Sequence, residues 1–133
     1  MSLTVEYVRK LFENLSTGNT SAFFDSVADD VHWTVMGTHP LAGVYNSKAD
    51  FLKHTFERLG KVLKEGVLIK VDHTFVSDDI AVVEMTSTST TLNGKSWPNT
   101  YCWVTRFVGG MITEVRAYVD SFLVHELIDE NER

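Results

Sequence analysis

The last apolar stretch of the chain, residues 111–120, ends in a carboxylate and carries a polar side chain at every second position. Asp120, Tyr118, Arg116 and Glu114 lie on one face of a predicted strand, because side chains alternate between the two faces of a strand. An acid, a phenol and a guanidinium in line could form the polar floor of a pocket. A carboxylate in an apolar pocket loses hydration, so its pKa rises and it can exchange protons with a carbon next to a carbonyl. Asp120 is therefore the candidate general acid/base.

Arg116 and His39 are candidate supporting residues, and each has a second interpretation. A cation close to Asp120 would oppose the effect of desolvation, so the two residues could instead form a partly exposed ion pair at a sheet edge. His39, which precedes Pro40, could act as an acid or base at the mouth of a pocket. It could equally be a loop residue that fixes a turn.

The walls of the expected pocket come from aromatic residues and from a threonine-rich strand. Aromatic side chains would supply apolar walls and a flat surface for a ring system. Glu84 shares a face with Thr86 and Thr88, and it would be a second pocket acid if that face points inward, or a solvated edge residue if it does not. The predicted substrate pocket consists of Trp33, Val35, Phe51, Phe56, Glu84, Thr86, Thr88, Tyr101, Trp103 and Tyr118.

Composition narrows the classes of partner. The 133 residues fit one domain covering positions 1–133, and the net charge of -6 offers no basic stripe for nucleic acid or a membrane surface. The single cysteine, Cys102, cannot form an internal disulfide, and no charged and apolar leader opens the sequence, which predicts a cytoplasmic protein. No metal site is expected, because the spacing of the histidines does not match metal ligands. Neither a phosphate-binding glycine loop nor a nucleophile elbow is present, and no cofactor is expected.

Hydrophobic periodicity predicts an α+β domain. A period near 3.6 changes to a period of two after residue 60, and Asp78-Asp79, Asn93-Gly94 and Gly109-Gly110 mark hairpin turns. N-terminal helices should pack on one face of a curved, mainly antiparallel sheet. The predicted helices span residues 5–15, 21–28 and 47–60, and the predicted strands span residues 31–36, 67–76, 80–92, 101–108 and 111–120.

The order of these elements and three local strings resemble the SnoaL-like branch of the NTF2-like superfamily. The strings are residues 28–33 (ADDVHW), residues 37–43 (GTHPLAG), and a series that runs from Asn93-Gly94 through residues 99–107 to residues 110–120. The resemblance implies a cone of strands closed by helices, a small apolar or polycyclic ligand inside the cone, and a homodimer formed through the outer face of the sheet.

Three enzyme patterns within that superfamily can be compared with this sequence. The triad of its steroid isomerases would fall near Leu11, Val35 and Trp103, none of which transfers a proton. The Arg and the second acid of its epoxide hydrolases would fall near Met85 and Ser87, so that triad is missing as well. Its polyketide cyclases use one Asp at the end of the last strand, and Asp120 matches that position.

The resemblance and the residues together predict a cofactor-independent isomerase, cyclase or lyase acting on an apolar or polycyclic carbonyl compound. The alternative is a non-catalytic ligand-binding module or dimeric scaffold, which needs the same cavity but no poised acid. The strand pattern adds one prediction of register. Trp103 should face inward with Tyr101 and Phe107, while Cys102 and Val104 face outward with Arg106.

Overall fold

A computed structural model describes residues 2–132. Five helices and six strands follow one another as α1 (Val5–Glu13), α2 (Thr20–Phe24), β1 (Val27–Val35), β2 (Gly43–Tyr45), α3 (Lys48–His54), α4 (Phe56–Gly60), β3 (Ile69–Ser77), β4 (Ile80–Ser87), β5 (Thr100–Val108), β6 (Met111–Val119) and α5 (Ser121–Asn131). The strands form one sheet in the order β2-β1-β6-β5-β4-β3. Only the contact between β1 and β6 is parallel. The predicted α+β class with a mainly antiparallel sheet is therefore confirmed.

Turn residues set the four consecutive antiparallel strands β3 to β6. Asp78 adopts a left-handed φ of 54° between β3 and β4, and Gly109 and Gly110 have φ of 58° and 82° between β5 and β6. Such values suit the tight turns of hairpins, where glycine meets no steric penalty. Apolar side chains on one face of these strands pack under the helices, and the largest fully buried members of this core are Trp33, Phe12 and Phe23.

Side-chain caps begin both α1 and α3. The Thr4 side chain accepts a hydrogen bond from the Tyr7 N–H, and the Ser47 side chain accepts one from the Asp50 N–H. These bonds satisfy backbone donors that have no partner inside the helix. The predicted helix 47–60 is interrupted at Thr55, whose backbone leaves the helical region and whose hydroxyl donates to the Phe51 carbonyl at 2.7 Å. Side-chain bonding of this kind competes with helical backbone geometry.

A fifth helix, α5, follows the last strand, where no helix was predicted. Its buried residues, Val124, Leu127, Ile128 and Asn131, recur at helical spacing and pack the helix onto the rest of the core. Strand β1 also begins four residues before the predicted position, where Val27 pairs with Ile112 ahead of a bulge. None of the helices in the described part of the chain has the length and apolarity needed to cross a lipid bilayer.

Candidate functional site

An apolar cavity of about 50 Å³ lies between the sheet and helices α3, α4 and α5. We call it the interior cavity. It includes residues of β1, β5 and β6 on the sheet side, and Phe51, Phe56 and Val124 on the helix side. Six predicted pocket residues line it: Trp33, Val35, Phe51, Phe56, Tyr101 and Trp103. The structure therefore brings together the aromatic part of the predicted site.

Stacked aromatic rings fix the shape of this cavity. The Trp33 ring lies parallel to the Phe51 ring at a centroid distance of 3.8 Å, and it meets Trp103 edge-on at 5.1 Å. Phe51 also contacts Phe56 at 5.9 Å. These rings come from β1, β5 and the two halves of the broken helix. Because each ring is held by its neighbours, the walls form a packed arrangement with few alternative rotamers.

The register of β5 confirms the prediction made from its alternation. Trp103 and Phe107 are buried on the inner face, and Tyr101 lines the interior cavity beside Trp103. Arg106 is exposed on the opposite face, and Cys102 is only partly buried there. The aromatic side chains of β5 thus face the interior, because burying large apolar surface stabilises the fold.

Four predicted pocket residues do not lie in the interior cavity. In β4 the buried positions are Ala81, Val83, Met85 and Ser87, so Glu84 and Thr86 face outward. The Oε1 atom of Glu84 lies 3.3 Å from the Nδ1 atom of His73 at the outer surface. Thr88 lies beyond the end of β4 and is exposed. In β6 the same parity turns Tyr118 outward, with its side chain 42% exposed. The prediction that these polar side chains face the pocket was wrong. Burying a polar side chain without partners is unfavourable, so the apolar half of each strand faces the core and the polar half faces outward.

The outward-facing residues form a second, larger hollow of about 690 Å³ on the opposite side of the sheet. We call it the outer groove. Glu84, Thr86, Cys102, Tyr118 and Asp120 line it together with Asp72 and His73. Tyr101 and Val119 border both the outer groove and the interior cavity. These two side chains therefore form the partition between a polar surface and an apolar interior.

Asp120 lies at this boundary, exposed to solvent, and not in the interior cavity as expected. It is the N-cap of α5: one carboxylate oxygen, Oδ1, accepts hydrogen bonds from the N–H groups of Phe122 at 3.0 Å and Leu123 at 3.4 Å. The predicted alternative, an ion pair with Arg116, is also wrong, since no cation within residues 2–132 pairs with Asp120. Arg116 is exposed on the outer face of β6.

Asn99, which is not among the predicted site residues, holds the backbone of Asp120 in place. Its side chain is fully buried, and its Oδ1 accepts from the Asp120 N–H at 3.1 Å. The Asn99 Nδ2 donates to the Asp120 carbonyl at 3.3 Å. This pair of bonds ties the start of β5 to the end of β6. A lone Asn after Trp97-Pro98 reads as a loop residue, so no local signal distinguishes it.

His39 lines the interior cavity, but both of its ring nitrogens are already engaged. The Leu41 N–H donates to Nδ1 at 3.1 Å, so Nδ1 is an acceptor, and Nε2–H donates to the Met36 carbonyl at 3.0 Å. Burial lowers the pKa of His39, with the bond to Met36 acting in the opposite direction. The neutral imidazole therefore fixes the loop, which is the second of the two interpretations made from the sequence.

Tyr101 adds a polar hydroxyl at the partition between the two hollows. Burial raises the pKa of Tyr101 far above its ordinary value, and a hydrogen bond with Ser87 opposes that rise in part. The phenol thus stays protonated across the physiological pH range. Among residues 2–132 no group of three His, Cys, Asp or Glu side chains is placed to hold a metal ion.

The whole-chain comparisons agree with this architecture. The chain is 28% identical to the dimerizing cyclase phiC of a fungal species and 30% identical to the dimerizing cyclase tstC of Talaromyces stipitatus, in each case over 95% of this chain and 57% of the relative. This chain thus spans a little over half the length of these relatives. A solved NTF2-like protein from Burkholderia thailandensis superposes with a TM-score of 0.78 at 24% identity, covering 93% of this chain and 95% of that chain.

Structural likeness at that level of identity establishes the fold alone. The family comes from the sequence itself: residues 8–115 match the SnoaL-like domain, from helix α1 to the middle of β6. The chain belongs to the SnoaL-like domain family.

Proposed function

We propose that this chain is a cofactor-independent enzyme of the cyclase or isomerase type, acting on a small apolar carbonyl compound, with Asp120 as general acid/base. The observation that carries the proposal is the shared partition: Tyr101 and Val119 border both the apolar interior cavity and the groove that holds Asp120. A substrate bound in the cavity would contact the carboxylate once the side chains of Tyr101 and Val119 move aside. The cyclase names of the two relatives support this type of reaction.

The proposed chemistry is a proton transfer at carbon. The carboxylate of Asp120 takes the proton next to the substrate carbonyl, and the electron pair of the broken C–H bond forms the enolate. In an isomerisation the carboxyl group returns its proton to the enolate carbon and forms the new C–H bond. In a cyclisation the enolate carbon attacks a second carbonyl carbon, whose C=O π electrons move to oxygen, and the carboxyl group gives its proton to that alkoxide. The helix cap engages Oδ1, while Oδ2 has no partner within residues 2–132 and is available for this role.

The volume of the interior cavity restricts the substrate. Pockets that hold drug-sized ligands measure about 300–1,000 Å³, whereas this cavity measures about 50 Å³. A polycyclic compound does not fit it without an outward movement of α3 and α4. A small carbonyl compound, such as a single ring, is therefore the proposed substrate class.

Exchange of α-protons in heavy water tests the proposal before any natural substrate is known. A panel of small cyclic ketones is incubated with the protein in D₂O, and proton NMR follows the loss of signal next to the carbonyl. We expect catalysed exchange by the wild type, and a loss of about 10²–10⁴-fold in Asp120→Asn. Asn caps a helix about as well as Asp does, so the fold is kept.

Asp129→Asn is the matched control for that experiment. Asp129 is an exposed acid on the same helix, α5, and its replacement removes the same charge without changing the cap or the groove. Equal exchange rates in Asp120→Asn and Asp129→Asn, both at the wild-type level, would remove Asp120 from the mechanism.

A non-catalytic ligand-binding module is the second candidate function. Two observations favour it. Both ring nitrogens of His39 already make hydrogen bonds, so neither is free for proton transfer, and Asp120 is exposed to solvent. A protein of this class would bind the same ketones without exchanging their α-protons. The heavy-water experiment, combined with a binding measurement on the same compounds, separates the two functions.

A further inference from the structure

The Trp33 indole N–H is a buried donor without an acceptor. Trp33 is 0% exposed, lies in the wall of the interior cavity, and its Nε1 has no hydrogen-bond partner within residues 2–132. Leaving a buried polar group unpaired typically costs about 1–3 kcal/mol, and native proteins contain few such groups. The indole packs against the rings of Phe51, Trp103 and Phe24 at centroid distances of 3.8, 5.1 and 6.0 Å, so it cannot easily turn to find an acceptor within the chain.

The other polar side chains of the wall all have partners. The Thr55 hydroxyl donates to the Phe51 carbonyl, and the Trp97 indole N–H donates to the Leu123 carbonyl at 3.0 Å. Both nitrogens of His39 are engaged, and the Tyr101 hydroxyl interacts with Ser87. Within residues 2–132, Trp33 is thus the one residue of the cavity wall with a fully buried side-chain polar atom that has no partner. A ligand acceptor would find one free donor there.

We infer that Trp33 is the specificity-determining residue of the interior cavity and that its Nε1–H donates a hydrogen bond to the carbonyl oxygen of the ligand. This inference rests on the proposed function, since it takes the interior cavity as the ligand site. Because Trp33 belongs to the cavity wall and its N–H has no accessible surface in the unliganded protein, a ligand acceptor would approach from the cavity side with a small displacement of the ring or its neighbours. The surrounding wall is apolar and contacts the rest of the ligand.

The chemistry of the wall defines the ligand class: a small apolar ring with one strong acceptor. A hydrocarbon of the same shape would gain the apolar contacts but leave the indole N–H unpaired. A site built around one buried donor discriminates strongly against an analogue without the acceptor, because the donor is then left unpaired. The preference for a ketone over its hydrocarbon counterpart is therefore the measurable consequence.

NMR titration with cyclopentanone and with methylenecyclopentane tests this inference. The two probes have nearly the same shape, and only the first carries an acceptor. The chain has three tryptophans, so three indole N–H signals are expected, and single Trp-to-Phe variants assign them. We expect cyclopentanone to shift the Trp33 indole proton downfield and to bind more tightly than methylenecyclopentane, which binds without that shift.

Two variants complete the experiment. Trp33→Phe should weaken cyclopentanone binding by about 5–100-fold, the loss of one buried hydrogen bond, and leave the affinity for methylenecyclopentane nearly unchanged. Trp97→Phe is the comparison within the same wall: its N–H already donates to the Leu123 carbonyl, so this change should alter the affinities for the two probes by the same factor. Should Trp33→Phe fail to fold, the wild-type titration decides alone through the Trp33 signal.

The outcomes that overturn the inference differ from those that overturn the proposed function. Equal affinity of the wild type for both probes, or a ketone-specific shift at Trp97 or Trp103 and not at Trp33, would refute the role of Trp33 while leaving the cavity as a binding site. Failure of both probes to bind would refute the cavity as the ligand site, and the proposed function with it.

Discussion

Replacement of Asp120 by Ala and by Asn should separate its structural role from its proposed chemical role. The carboxylate caps α5 through two backbone N–H groups, at 3.0 and 3.4 Å. Loss of an Asp cap to Ala typically costs about 1 kcal/mol. A chain of 133 residues has an unfolding entropy of about 0.28 kcal/mol per degree, so 1 kcal/mol corresponds to a fall in Tm of about 4 °C. Asp120→Asn should stay within about 1 °C of the wild type, because the amide oxygen caps equally well.

Differential scanning calorimetry at neutral pH measures these shifts, with Asp129→Ala as the control. Asp129 lies on the exposed face of the same helix and makes no capping bond, so its replacement should change stability little. A fall in Tm for Asp120→Asn as large as that for Asp120→Ala would refute the reasoning. It would mean that the negative charge itself stabilises the fold. A lower exchange rate in Asp120→Asn could then come from lower stability and not from the loss of the acid/base.

Three further predictions follow from other contacts. Burial lowers the pKa of His39, so as the pH falls the unfolded chain binds a proton at this residue before the folded chain does. The stabilisation by neutral His39 is therefore full above about pH 6.5 and is lost as the pH falls. Urea unfolding between about pH 7.5 and 5 should show a steeper loss of the free energy of unfolding in the wild type than in His39→Asn. Asn99→Ala should lower the free energy of unfolding by about 1–3 kcal/mol, measured by urea denaturation, since it leaves the Asp120 N–H unpaired. The exposed aromatic residues Phe75 and Tyr118 on the outer sheet face predict a homodimer, so sedimentation at micromolar concentration should give about twice 15.0 kDa, and Tyr118→Lys should shift it toward a monomer. A pH slope that is the same in both proteins, a fully stable Asn99→Ala, or a wild-type monomer would contradict these predictions in turn.

The sheet was predictable because its turn residues and its period of two are local signals. Asp78-Asp79 forms the turn between β3 and β4, and Gly109-Gly110 forms the turn between β5 and β6. Buried and more exposed positions alternate along most of β4 and β5. Which face of a strand turns inward is not local, because it depends on what packs against it. For β6 the alternation of side chains predicts the polar face as a pocket floor, whereas the cavity is built from Ala117 and Val119 on the apolar face.

The interpretation of Asp120 as a pocket acid also explains why helix α5 was not predicted. Asp120 was interpreted as a catalytic acid at the end of a strand, although an Asp before an apolar run is also a helix start. The buried positions Val124, Leu127 and Ile128 follow with helical spacing, and that pattern was available in the sequence. The roles of Asn99 and His39 were not available, since each depends on backbone groups brought close only by the fold.

Blocking the interior cavity tests the central claim most directly, because the outer groove is the larger hollow and the rival ligand site. Ala117 is buried in the cavity wall, where it pairs with Trp103 of the neighbouring strand β5. Ala117→Leu places three more carbon atoms there. Cys102→Leu adds bulk to the outer groove instead. The measurement is the affinity for cyclopentanone, by NMR titration of wild type and both variants. If the ligand binds in the interior cavity, Ala117→Leu loses about tenfold or more in affinity and Cys102→Leu stays at the wild-type value. Unchanged binding in Ala117→Leu together with a loss in Cys102→Leu would place the ligand on the outer face and contradict the account.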